Sequence, residues 1–157
     1  MTKFKLKVFF KAAYELILVF LQFFMISLHF IQWELLPKKQ IIQVTPISYF
    51  MGILISIIAF IIMLVAIKDL GRNLSPFPRP ITNSNLVTKG IYRFTRHPMY
   101  YSLIFISFGF FITKLSIYYL CLSINLALII KLKIILEEQY LNNKFKNYLI
   151  YKNEVKY

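Results

Sequence analysis

Residues 47–67 read ISYFMGILISIIAFIIMLVAI, twenty-one positions without a charge. As an α-helix this run rises about 32 Å, enough to cross the hydrocarbon core of a bilayer. A surface helix of a soluble domain would need a polar stripe, and this run offers only Ser48, Tyr49 and Ser56. It reads as a membrane span, and its neighbours are read outward from it.

Upstream, Leu16 to Trp33 is interrupted only by Gln22, Ser27, His29 and Gln32. The basic start (Lys3, Lys5, Lys7, Lys11) resembles that of a signal peptide. The apolar run outlasts a signal core and no small-x-small site follows, so an uncleaved first span is expected. Trp33 suits an interface, and Glu34 to Pro46 forms a polar connection. His29, Gln22 and Gln32 fall on roughly helical spacing, which favours an interhelical hydrogen bond over a site.

Downstream, Lys68 to Pro98 carries Pro76, Pro78 and Pro80 in alternation, a pattern that resists helix and favours extended backbone. Phe77, Leu86, Val87, Ile91, Tyr92 and Phe94 give this loop apolar anchors, so an ordered interfacial segment is expected. Met99–Thr113 and Leu115–Ile130 are two shorter apolar runs divided by Lys114, read as a helical hairpin with Pro98 in its first turn. The second helix is expected to continue through KLKIILEEQYLNNKF. Gly52, Gly71, Gly90 and Gly109 are evenly spaced, but their neighbours share nothing and no repeat is read.

The composition agrees. The 157 residues are 59% hydrophobic with a net charge of +13, and the mean hydropathy is +0.64. Sixteen of the nineteen basic residues lie in the N-terminal tail, the central loop and the C-terminal part; Lys38, Lys39 and Lys114 are the others. That clustering fits membrane orientation with both termini cytoplasmic, and a nucleic-acid partner is not expected. Cys121 is the only cysteine, so an internal disulfide and a multi-cysteine metal site are excluded.

There is no G-x-G-x-x-G, no P-loop and no Ser-His-Asp set, Asp69 being the sole aspartate. With only His29 and His97 available, no metal site is expected. What remains is a polar cluster at Arg93, Arg96, His97 and Tyr100 and an acidic pair at Glu137 and Glu138, which a hairpin brings together. Lys133 stands one turn before Glu137 on the same face. Such a pocket, capped by the proline loop, suits a zwitterion. A carboxylate would meet His97, Arg96 and the N-terminus of the helix opened by Pro98. An ammonium or diol would meet Glu137 or Glu138, and a sulfonium the face of Tyr92 or Tyr100. S-adenosylmethionine carries all these groups.

The stretches LGRNLSPFPRP, LVTKGIYRFTRHPMY and EEQYLNNKFKNYLIY resemble the isoprenylcysteine carboxyl methyltransferase family and the related membrane phospholipid methyltransferases. The resemblance covers Leu86-Val87, Gly90-Ile91-Tyr92, Arg96-His97-Pro98-Met99-Tyr100 and Glu137-Glu138 to Leu141 and Phe145, then Tyr148 and Tyr151. It implies that Asn85, Leu86, Val87, Tyr92, His97, Pro98, Met99, Tyr100 and Glu137 bind S-adenosyl-L-methionine. Lys133 stands where the family has a substrate-contacting arginine. Two departures follow Phe145: a glycine is absent and Tyr148 comes one residue early.

The sequence thus predicts an all-α polytopic membrane protein of about four transmembrane helices, the last two a hairpin. A cytoplasmic loop and C-terminal helix would form the cofactor site, within residues 70–151 of one domain, 1–157. The expected activity is methyl transfer to a lipophilic acceptor in a prokaryotic inner membrane. A carboxylate acceptor needs no base; an amine or thiol would, and Glu138 or His97 is the nearby candidate, with Arg96 a further catalytic candidate. The competing readings are a sterol-type reductase using NADPH and a non-catalytic membrane subunit.

Overall fold

The computed structural model describes residues 3–31 and 40–156. It holds five α-helices: α1 (Lys3–Leu28), α2 (Pro46–Leu70), α3 (Pro98–Lys114), α4 (Ile117–Lys144) and α5 (Tyr148–Glu154). Short 3-10 turns lie at Gly71–Asn73 and Gly90–Arg93, and no strand occurs among the described residues. The chain is an all-α membrane protein. Phe9–Leu28, Pro46–Asn73 and Ile117–Lys144 are long and apolar enough to cross a bilayer. The 17 residues of α3 rise only about 26 Å.

Local chemistry sets the ends. Thr45 caps α2 and exchanges hydrogen bonds with Ser48, with Pro46 in the first turn. Pro98 opens α3, as its missing N–H allows. The α3–α4 turn differs from expectation: Leu115 does not begin the fourth helix but closes the third in a left-handed conformation, φ 43°. A side chain there costs about 1–2 kcal/mol, so a reader of sequence looks for glycine and passes over Leu115. The fourth helix does continue to Lys144. The first begins well before Leu16 and stops at Leu28, although no glycine or proline marks that stop. Gln32, Trp33 and the polar residues through Lys39 lie outside the described residues.

The tightest packing joins α2 to α3. A Cβ added to Gly52 would lie 2.7 Å from the Gly109 carbonyl oxygen and 2.7 Å from the Thr113 nitrogen. Lipid offers no hydrophobic drive for helix pairing, so small residues that admit backbone contact supply the attraction. Gly52→Ala is therefore expected to destabilise the protein by about 1–3 kcal/mol, read as a lowered melting temperature in detergent; an unchanged melt would show that this crossing yields.

Helices α3 and α4 are linked through buried hydroxyls. Ser107 Oγ donates to Ser123 Oγ (2.9 Å), and His29 Nε2, one residue past the end of α1, lies 2.7 Å from Ser107 Oγ. His29 is thus an interhelical partner, as its setting suggested. Gln22 is not part of that group; its side-chain oxygen accepts from Lys133 Nζ. At this end of the bundle the Ile41 N–H donates to the Leu115 carbonyl at 2.7 Å. The stretch entering α2 and the α3–α4 turn therefore share one end, and the long loop and α5 share the other.

Candidate active site

At that other end, Asp69 in the last turn of α2 accepts the Ile91 N–H at 2.8 Å. The bond pins the turn Gly90–Arg93 to α2. Gly90 (φ +62°) is required there, because a Cβ would fall 2.0 Å from Asp69 Oδ2. The turn delivers Tyr92, 7% exposed, and leads into Arg96 and His97 at the mouth of α3. From α4 comes Glu137, and from α5 come Tyr148 and Tyr151.

Tyr92, Arg96, His97, Glu137, Tyr148 and Tyr151 line a cavity of about 90 Å³. The proline loop roofs it with Ser75, Phe77, Pro78, Arg79 and Pro80. The roof is fastened at its base: Asn73 Nδ2 donates to the Asn85 carbonyl (3.2 Å) and the Asn85 N–H donates to Asn73 Oδ1 (3.3 Å). Lys144 Nζ holds the same loop through the Thr82 carbonyl (3.0 Å) and Ser84 Oγ (2.7 Å).

Of the residues expected at the site, Asn85, Leu86, Val87, Tyr92, Arg96, His97, Met99, Tyr100 and Glu137 line this cavity. Pro98, Glu138 and Lys133 do not. Pro98 is buried behind the lining at the start of α3. Glu138 is occupied on both oxygens: Oε1 accepts from Arg96 Nε (3.0 Å) and Nη2 (2.8 Å) and lies 3.4 Å from His97 Nε2, while Oε2 accepts from Lys152 Nζ (2.6 Å). Arg96 Nη1 donates to the carbonyls of Lys152 (3.4 Å) and Val155. Arg96 and Glu138 thus clamp the C-terminal helix, and the geometry makes them anchors where the sequence offered an anion ligand and a base.

Lys133 is 1% exposed. Its ammonium donates to Gln22 and to the Pro76 carbonyl (2.9 Å) and lies 5.2 Å from the centroid of the Tyr100 ring. It ties the roof to α1 and α4, and it already supplies a cation to Tyr100. Tyr92 is the ring left for a ligand cation. His97 stacks on Tyr100 at 5.8 Å between centroids, and the Tyr100 hydroxyl lies against the Glu137 carboxylate.

Tyr148 and Tyr151 belong to the sequence motif but carried no assigned role there, and both line the cavity. Both sit on α5, and the irregular spacing after Phe145 obscured their register. The Tyr151 hydroxyl donates to the Tyr92 carbonyl at 2.6 Å, fastening α5 to the 3-10 turn. Burial raises the phenols of Tyr92 and Tyr148 well above the ordinary range and that of Tyr151 to about 12, so all three remain protonated hydroxyls at neutral pH.

Outside the roof, a larger open groove of about 670 Å³ runs between α1 and the loop. Phe9, Ala12, Ala13, Glu15 and Leu16 form one wall, and Ser75, Phe77, Arg79 and Pro80 form the other. Those four loop residues also line the cavity, so a single extended segment separates groove from cavity. Glu15, 5% exposed, accepts from Arg79 Nη2 (3.2 Å) and from the Tyr140 hydroxyl.

Residues 47–148, about two thirds of the chain, match the family described as phospholipid methyltransferase. That stretch runs from the first turn of α2 to the first residue of α5 and leaves α1 outside. No curated protein and no solved structure matches the chain.

Proposed function

We propose that this chain, which belongs to the phospholipid methyltransferase family, transfers a methyl group from S-adenosylmethionine to a lipophilic acceptor, in the manner of its isoprenylcysteine carboxyl methyltransferase-like relatives. The observation that carries the reading is that Glu137 lines one small cavity together with Tyr92, His97 and Tyr100, under the proline loop. The donor set suits a zwitterionic sulfonium: a carboxylate for an ammonium or diol, the Tyr92 ring for the cation, and the N-terminus of α3 for an anion. When bound, S-adenosylmethionine supplies an electrophilic methyl on sulfur. The chain's part is then to orient, to neutralise charge and to exclude water.

Cofactor-sized sites enclose about 300–1,000 Å³, so the roof moves outward for the donor and returns over it. Lys144 and Lys133 hold the roof in the closed position, over a base pinned by the Asn73–Asn85 pair. The acceptor approaches through the groove on α1, where Ala12, Ala13 and Leu16 offer an apolar track to the same loop. An acceptor carboxylate reacts as its anion, which agrees with a site whose second glutamate is fully engaged. Sixteen basic residues lie in the N-terminal tail, the central loop and the C-terminal part, and this positive-inside bias supports a cytoplasmic position for that end of the bundle and both termini.

Calorimetry on the purified protein tests the reading. Binding of S-adenosylmethionine is expected; no binding, or binding of NADPH in its place, sinks it. Labelled donor supplied with a total lipid extract is expected to leave label on a lipid-soluble product, whose identification names the acceptor. Label retained only in the donor would reduce the protein to a non-catalytic subunit.

A further inference from the structure

Among the described residues that line the cavity, one fully buried hydroxyl has no hydrogen-bond partner. The Tyr148 side chain is 1% exposed and lines the cavity, and its hydroxyl has no hydrogen-bond partner among the described residues. A buried hydroxyl without a partner forfeits about 1–3 kcal/mol, and native structures rarely leave such a group unanswered. Tyr151, three residues on along the same helix, shows the contrast: its hydroxyl donates to the Tyr92 carbonyl. Two phenols on one short helix are therefore divided, one closing the fold and the other buried in the cavity wall without a partner.

The division gains weight from Arg96. The sequence offered its guanidinium as the partner for an anionic ligand oxygen, yet Glu138 and the carbonyls of Lys152 in α5 and Val155 just after it take its fork. The α5 helix that consumes Arg96 brings a replacement donor of its own. We propose that Tyr148 is a ligand-binding residue whose hydroxyl donates to an oxygen of the bound methyl donor, either its carboxylate or a ribose hydroxyl. The proposal rests on the cofactor reading above and adds to it a residue that packing alone would not require.

The test uses the full chain in detergent and S-adenosylhomocysteine as the probe, with 5′-methylthioadenosine, which lacks the amino-acid end, as its partner. Tyr148→Phe is expected to raise the dissociation constant for S-adenosylhomocysteine by about tenfold. Without ligand its melting temperature should stay level or rise, because an unsatisfied donor has gone. Tyr151→Phe should instead lower the melting temperature. If methylthioadenosine suffers the same penalty from Tyr148→Phe, the partner is the ribose; if it escapes, the partner is the carboxylate; either supports the assignment. A Tyr148→Phe protein that binds the probe as tightly as the native chain overturns it. Failure of the native chain to bind the probe overturns the cofactor reading first, and this assignment with it.

Discussion

Replacing Glu137 or His97 with alanine is expected to abolish binding of S-adenosylmethionine, measured by calorimetry on folded protein, while His29→Ala leaves it intact. Glu137 is the carboxylate that lines the cavity. Removing it leaves a cationic ligand opposite neutral tyrosines, with the Lys133 ammonium close by on the same helix. Loss of one partner from a desolvated charge pair costs about 2–5 kcal/mol, equivalent to a factor of roughly 30 to several thousand in affinity, beyond what the calorimeter registers for a weak ligand. His97, 4% exposed, acts by position: it stacks on Tyr100 and shares the mouth of α3 with the Arg96–Glu138 pair. Its loss frees the Tyr100 ring and opens the wall beneath it. His29 bonds Ser107 at the far end of the bundle, so it serves as the control for any polar deletion inside the membrane. Unchanged binding in Glu137→Ala, or lost binding confined to His29→Ala, would move the site elsewhere.

The second large effect concerns Arg96. Arg96→Ala removes four hydrogen bonds that hold Glu138 and the end of α5 together. Both side chains are mostly shielded, at 12% and 15% exposure. Breaking a shielded pair by deleting one partner costs about 3–5 kcal/mol, reduced here because Lys152 and His97 still face Glu138. A loss of about 3 kcal/mol is expected in thermal or denaturant melts, together with faster proteolysis at the C-terminus as α5 detaches. Arg96→Lys should recover only part of the stability, since an ammonium cannot reach Glu138 and two carbonyls at once. Full stability in Arg96→Ala with lost ligand binding would restore Arg96 to the ligand and refute the anchoring role.

The bundle was legible because its signals are strong and local. An uncharged run at 47–67, a proline at position 98 and an unbroken helical pattern past Ile130 each leave one solution. The meeting of His97 with Glu138 and of Tyr100 with Glu137 followed from the hairpin. What sequence did not disclose is how polar groups divide between fold and site. Arg96, Glu138 and Lys133 have the chemistry of a binding pocket, and only the placement of α5, Gln22 and Pro76 shows them occupied. The roles of Tyr148 and Glu15 were hidden for the opposite reason: neither residue's sequence neighbours announce its burial, which comes only from tertiary packing.

The reciprocal Asn73–Asn85 bonds have a consequence for the energetics of opening. The connection from α2 to α3 runs over residues 71–97, but with its base pinned only residues 74–84 behave as a loop. Closure entropy grows as the logarithm of loop length, and this shortening is worth about 0.8 kcal/mol. The roof therefore needs few contacts to shut, and it can reopen without disturbing the segment that carries Tyr92 and His97. Repeated turnover would then be limited by an eleven-residue flap and would not require the helices to separate.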